Sequence, residues 1–160
     1  AQSFDRGETL FDRIEKIYKK HGYGFEQAVS FTLEGKEGIS KIGECMVSLR
    51  EDVEKASSIE NAKTLIGGPA VKAVRDYQKS VRYEFTEDGI KTSVLDLPKS
   101  NVLLYELGGD KGLDWACARP SGTEPKLKIY FGVYGDTEEG AQNTLSKVKG
   151  EMSAFVKGRL

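Results

Sequence analysis

Lys126-Leu127-Lys128-Ile129-Tyr130-Phe131-Gly132-Val133 alternates apolar and polar side chains. Leu127, Ile129, Phe131 and Val133 fall on one face of an extended chain, and Lys126, Lys128 and Tyr130 on the other. A strand with one apolar face belongs in an antiparallel sheet buried on one side. Moving upstream, Asp114-Trp115-Ala116-Cys117-Ala118 and Val102-Leu103-Leu104-Tyr105-Glu106-Leu107 read as two more strands. The turn Gly108-Gly109-Asp110-Lys111-Gly112 separates them. Ala70 to Arg75 reads as a strand after the break Ile66-Gly67-Gly68-Pro69, and Ala28 to Leu33 as another, ending at Glu34-Gly35. Val81 to Phe85 is a further strand, but Thr86-Glu87-Asp88-Gly89 leaves the strand boundaries between 77 and 96 open.

Three segments carry helical periodicity instead. Leu10, Phe11, Ile14, Ile17 and Tyr18 recur at steps of three and four, with Thr9 as a cap and Gly22 as the stop. Ile39, Ile42, Met46, Leu49 and Val53 form a second stripe, with Lys41, Glu44 and Arg50 on other faces. Ala141, Leu145, Val148, Met152 and Phe155 line a third, for which Asp136 is the expected N-cap, with Glu139 three residues on. The order is helix, strand, helix, several strands, helix. It predicts an α+β fold: an antiparallel sheet with two helices packed on one face, preceded by a short helix.

The chain has 160 residues, 38% of them hydrophobic and 31% charged, enough apolar content for a folded core. A formal net charge of -1 argues against a duplex nucleic-acid binder, which needs many cationic contacts to phosphates. A local anion site needs only a few donors. No apolar run approaches the roughly 20 residues that span a bilayer, and no signal peptide is visible at Ala1-Gln2-Ser3-Phe4. The chain does not begin with Met, which suits an excised piece of a longer protein. Cys45 and Cys117 sit among apolar neighbours, as reduced cytoplasmic core thiols do, although sequence alone leaves a disulfide between them open. With His21 the only histidine, a His/Cys metal cluster lacks ligands.

Between two of these strands lies Arg119-Pro120-Ser121-Gly122-Thr123-Glu124-Pro125-Lys126. The Arg119 fork can give two parallel hydrogen bonds to phosphate oxygens. Ser121 and Thr123 add hydroxyls, and Gly122 lets its backbone N–H approach an oxygen closely. Successive N–H groups in such a turn form an anion-binding concavity. Pro120 and Pro125 stiffen entry and exit, which lowers the ordering cost on binding. Lys126 and Lys128 add positive potential. The plain alternative is a hairpin turn, whose ordinary residues are also Pro, Ser, Gly and Thr.

The eight-residue run resembles the C-terminal phosphate-binding loop of the α-D-phosphohexomutases, which include phosphoglucomutases and phosphomannomutases. Leu97-Pro98-Lys99-Ser100-Asn101-Val102 and the segment from Tyr23 to Gly35 are similar to those enzymes too. The resemblance implies a TATA-box-binding-protein-like domain, the last of four. Residues 1–24 would be the C-terminal tail helix of domain three, and residues 25–160 the phosphate-binding domain. Arg119, Ser121, Gly122, Thr123 and Lys126 would bind the substrate phosphate that is not being transferred. The partners implied are a glucose or mannose 1- or 6-phosphate and domains one to three of the same chain. In the family a phosphoserine of domain one exchanges its phosphoryl group with the sugar, and aspartates of domain two hold Mg2+. Neither loop has a counterpart here, nor has the sugar-selecting loop. The chain alone is therefore expected to have no catalytic residues, no metal site and no mutase activity. Lys126-Leu127-Lys128 leans toward the glucose and mannose branches rather than the glucosamine-phosphate branch.

Other residues have functional and bland readings. His21 could act as a general base, but it sits in a basic helix end and lacks triad partners. Cys117 could be a nucleophile, or a packed strand thiol. Trp115, Tyr130 and Tyr134 could stack on a sugar, or simply pack on the sheet. Glu138 and Glu139 suit a helix first turn better than a metal. A competing function is a sheet-based nucleic-acid-binding module of the same fold, disfavoured by charge. A structural lid or dimer module is a third, which leaves the donor-rich loop unexplained.

Overall fold

The computed structural model describes residues 7, 9–68, 70–109 and 111–160. Pro69 and Asp110, assigned above to a break and a turn, lie outside the described residues. The elements run α1 (Leu10–His21), β1 (Tyr23–Thr32), α2 (Gly35–Lys55), α3 (Ile59–Ala62), β2 (Val71–Asp76), β3 (Val81–Thr86), β4 (Gly89–Val94), β5 (Leu103–Leu107), β6 (Trp115–Pro120), β7 (Lys126–Gly135) and α4 (Glu138–Lys157). The seven strands form one sheet in the order β1-β7-β6-β5-β2-β3-β4, antiparallel at every pairing. This is the expected α+β architecture.

The alternation in β7 is realised. Leu127, Ile129, Phe131 and Val133 are fully buried, and Lys126, Lys128 and Tyr130 lie toward the other face. Ala116 and Ala118 of β6 and Leu103, Tyr105 and Leu107 of β5 join the same buried face. Against it pack Met46, Leu49 and Val53 of α2 and Leu145, Val148, Met152 and Val156 of α4. The C-terminal end of α4 is tied to α2 by Arg159, which donates to Asp52 at 2.7 Å and lies over the Phe155 ring at 3.6 Å.

Several details differ from the sequence reading. The N-cap of α4 is Thr137, whose hydroxyl accepts from the Gly140 N–H at 3.1 Å; Asp136 instead pairs with Lys111. Arg50, read as lying off the apolar stripe of α2, is itself buried. Ile39 is 59% exposed, although Gly38 and Ile42 on the same turns of α2 are buried. Residues 86–94 resolve into the β3–β4 hairpin, and the short α3 follows α2.

At the other end of the chain, α1 carries a capping box between Thr9 and Asp12 and ends at Gly22. A side chain at Gly22 is excluded twice: its φ is +86°, and a Cβ would lie 2.8 Å from the Gly135 carbonyl oxygen. No α1 residue is buried, and Leu10, Phe11 and Ile17 are largely exposed. Tyr18 stacks on Tyr23, the first residue of β1, at 4.9 Å. The domain boundary expected at residue 24 lies next to the start of β1 at Tyr23.

Candidate functional site

The loop is the tip of the β6–β7 hairpin. Pairing continues to Arg119↔Lys128 and Pro120↔Leu127, so Arg119 and Pro120 belong to β6 and Lys126 to β7. Only Ser121 to Pro125 is irregular. The Ser121 N–H donates to the Lys126 carbonyl at 2.8 Å, and the Lys126 N–H to the Glu124 carbonyl at 2.7 Å. The Pro125 carbonyl accepts from Leu33 N–H at 2.9 Å, which ties the loop to the end of β1. The Thr123 N–H makes a long 3.5 Å contact to the Ser121 hydroxyl. Among the described residues, the Gly122 and Glu124 N–H groups donate to no protein acceptor. Gly122 has open space where a Cβ would sit. The tip therefore presents backbone donors and two hydroxyls outward, as an anion cradle requires.

The predicted ligands do not all meet in one place. Ser121, Gly122 and Thr123 line a cavity of about 270 Å³, together with Ile39, Ile42 and Gly43 of α2, and Asn101. Arg119 lines a different cavity, of about 550 Å³, on the sheet face away from the helices. The cause is strand alternation: Ala118 is buried against the helices, so Arg119 points the other way. Lys126 reaches back to Glu124, with both carboxylate oxygens 3.1–3.2 Å from its ammonium.

Arg119 nonetheless has a telling neighbour. Its register partner is Lys128, so two cations lie directly opposite on one face. Such a pair is destabilising in isolation. Neither has an ion pair among the described residues. Two uncompensated cations at the base of a donor-rich turn make an anion-favouring field.

The larger cavity holds most of the other residues weighed from sequence. Cys117, Trp115 and Tyr130 line it beside Leu104, Leu113 and the Arg75–Glu106 pair. Burial pushes the Cys117 thiol up to about 11, with Arg119 as a weaker opposing influence. It is neutral at pH 7 and a poor nucleophile. Trp115 occupies the space over Gly132 of β7, where a Cβ would come within 2.3 Å of its ring nitrogen. Tyr134 covers Gly24 in the same manner on β1. His21 is exposed at the end of α1, and Glu138 and Glu139 lie in the first turn of α4. Among the described residues, no group of three or more His, Cys, Asp or Glu side chains is placed to hold a metal ion. Nor is any helix long and apolar enough to cross a membrane.

A neighbour that sequence reasoning passed over is Asn101. Its side-chain oxygen accepts from Arg50 at 2.6 Å. Arg50 also donates to both oxygens of Asp76, at 3.2 and 3.3 Å, and to the Met46 carbonyl at 3.4 Å. Asp76 in turn accepts from the N–H groups of Gln78 and Lys79. The only signal in the sequence was the position of Asn101 inside Leu97–Val102.

No protein-family model matches the chain. A phosphoglucomutase of Staphylococcus aureus is 40% identical to it over 129 residues, 79% of this chain and 20% of that protein. The phosphoglucomutase of a second strain of that organism is 39% identical with the same coverage. The chain spans about a fifth of the length of the curated relatives it matches. The solved open form of a parafusin phosphoglucomutase from Paramecium superposes with a TM-score of 0.46 and 11% identity, over 93% of this chain and 23% of that one.

Proposed function

We propose that this chain, a homologue of the phosphoglucomutases over 79% of its length, is the C-terminal phosphate-binding domain of a phosphohexomutase. It grips the phosphate that stays on the hexose while the other is transferred. The observation that carries this reading is the β6–β7 tip, with unengaged Gly122 and Glu124 N–H groups above the uncompensated pair Arg119 and Lys128. Ser121 and Thr123 donate hydroxyl hydrogens to phosphate oxygens, and the Gly122 N–H donates from the backbone. Arg119 supplies attraction from the open face, and its exposed side chain swings to the phosphate when ligand arrives. Lys126 exchanges Glu124 for the phosphate.

The bond-making groups lie outside this chain. A phosphoserine and Mg2+-binding aspartates would come from other domains, and the described residues here do not fit a metal. In this reading residues 1–24 are the tail of the preceding domain. The exposed apolar face of α1 suits packing on that domain. The substrate is a glucose or mannose phosphate.

The test is titration of the 160-residue chain with glucose 6-phosphate, followed by backbone amide NMR. Shifts centred on Ser121, Gly122 and Thr123 are expected. Arg119→Ala should weaken the response about tenfold, the size of one charge-assisted hydrogen bond. Loop signals unmoved at tens of millimolar ligand would sink the proposal. The chain alone should give no turnover of glucose 1-phosphate in a coupled assay; clear turnover refutes that part.

A further inference from the structure

Asn101 stands at an unusual junction. Its side chain lines the small cavity formed by Ser121 to Pro125 and α2, and its oxygen is occupied by Arg50. Arginine only donates hydrogen bonds, so the amide oxygen must face Arg50 and the NH2 group must face elsewhere. Nothing on the protein receives that NH2 among the described residues. Arg50 cannot release the oxygen easily. It is 8% exposed, and the 2% exposed Asp76 fixes its guanidinium. The Asn101 backbone is held as well: the Ser100 N–H donates to the Tyr77 carbonyl, and the Tyr77 N–H to the Val102 carbonyl. The result is a donor of fixed orientation on the wall of the loop's cavity.

We infer that Asn101 is a further ligand of the bound phosphate, donating from its amide nitrogen, and that Arg50 and Asp76 are the positioning residues that hold its donor end outward. This rests on the loop being the phosphate site, as proposed above. No rotamer search is needed when ligand arrives, since the ion pair beneath Asn101 has already selected the orientation. The α2 side of the cavity is apolar, with Ile39 and Ile42, so among the described residues that line it this amide is the one neutral side-chain donor added from outside the hairpin.

Two substitutions separate donor from scaffold. Asn101→Asp keeps an acceptor for Arg50 but has no N–H to give. Asn101→Ala removes both without adding charge. With inorganic phosphate and glucose 6-phosphate as probes, the Asn101 side-chain NH2 signal of the wild-type chain should move together with the Gly122 and Thr123 amides. Either variant should bind about tenfold more weakly or worse. Asn101→Asp should melt no lower than wild type, so that its loss of binding is not a loss of fold. Unchanged affinity in Asn101→Ala overturns the inference even if Asn101→Asp binds weakly, because the new charge alone repels an anion. Should Asn101→Ala fail to fold, an Asn101 NH2 signal that stays still while the loop amides move overturns it as well. Both of those outcomes leave the loop standing as the site. If the wild-type loop amides themselves do not respond, the phosphate site and the role of Asn101 fall together.

Discussion

Replacing Asp76 by alanine removes the one carboxylate that pairs with Arg50 among the described residues. Asp76 is 2% exposed, and its two oxygens receive the Arg50 Nε–H at 3.2 and 3.3 Å and the Gln78 and Lys79 N–H groups at 2.9 and 3.3 Å. In Asp76→Ala the guanidinium keeps only the Met46 carbonyl and the Asn101 amide oxygen, both neutral. A buried cation stripped of its partner costs about 3–5 kcal/mol. That is about a fifth or more of the roughly 5–15 kcal/mol that holds a typical domain together. At about 2–4 °C per kcal/mol for a chain of this size, the melting temperature should fall by about 6–20 °C. Thermal unfolding by circular dichroism measures this directly. Asp76→Asn keeps an acceptor and the shape, and should lose less. A melting temperature for Asp76→Ala within about 2 °C of wild type would refute the reasoning. It would mean that Arg50 is solvated or re-paired, and the rigid mounting of Asn101 would go with it.

Glu106 receives Arg75 at 2.5 Å and Arg82 at 2.8 and 2.9 Å, and these donors, Arg82 foremost, hold its carboxyl below the ordinary carboxylate value. Its stabilisation is complete above the unfolded value near 4.5 and is lost as pH falls through the lower folded value. Glu106→Gln should therefore cost about 1–2 kcal/mol at pH 7, with the gap to wild type closing in acid; equal gaps in urea unfolding at both ends of that range count against it. Alkylation of Cys117 by iodoacetamide in the folded chain should be slow at pH 7 and climb with pH toward about 11, and a plateau below pH 9 would place the thiol in an ordinary environment. Phe131→Ala empties a fully buried site between sheet and helices and should cost about 3–5 kcal/mol. A urea midpoint lowered at unchanged slope is the expected form of that loss.

What was legible in the sequence was whatever repeats along the chain. Leu127, Ile129, Phe131 and Val133 announce a half-buried strand, and Met46, Leu49 and Val53 the helix that covers it. The strand β4 was not legible because Gly89-Ile90-Lys91-Thr92-Ser93-Val94 lies at the sheet edge, where its last four residues are all exposed and no alternation is imposed. The burial of Arg50 was not legible because its partner Asp76 is 26 residues away and only the tertiary fold joins them. For the candidate site, the turn was legible in Pro120, Ser121, Gly122 and Pro125, and Ser121 to Pro125 are the irregular tip of the hairpin. Treating Arg119 to Lys126 as one cradle overlooked the pairing of Arg119 with Lys128, which continues the strands and sends Arg119 to the opposite face. Asn101 was invisible as a donor, since its orientation is set by a guanidinium from another element.

The pairing of β1 has a consequence for the birth of the molecule. β1 lies at the edge of the sheet, and its ten residues pair with β7 alone, from Tyr23↔Gly135 to Thr32↔Lys126. Roughly ninety residues separate the two strands, so at typical rates of synthesis β1 waits about 5–20 s for its partner to leave the ribosome. Throughout that wait Phe25, Val29 and Phe31 have no sheet to join, and they are natural ligands for a chaperone. Ribosome-bound chains halted before Lys126 should be cut by protease within β1, and chains extended beyond Gly135 should resist. Equal resistance in the shorter chains would mean that the edge strand finds shelter before its partner exists.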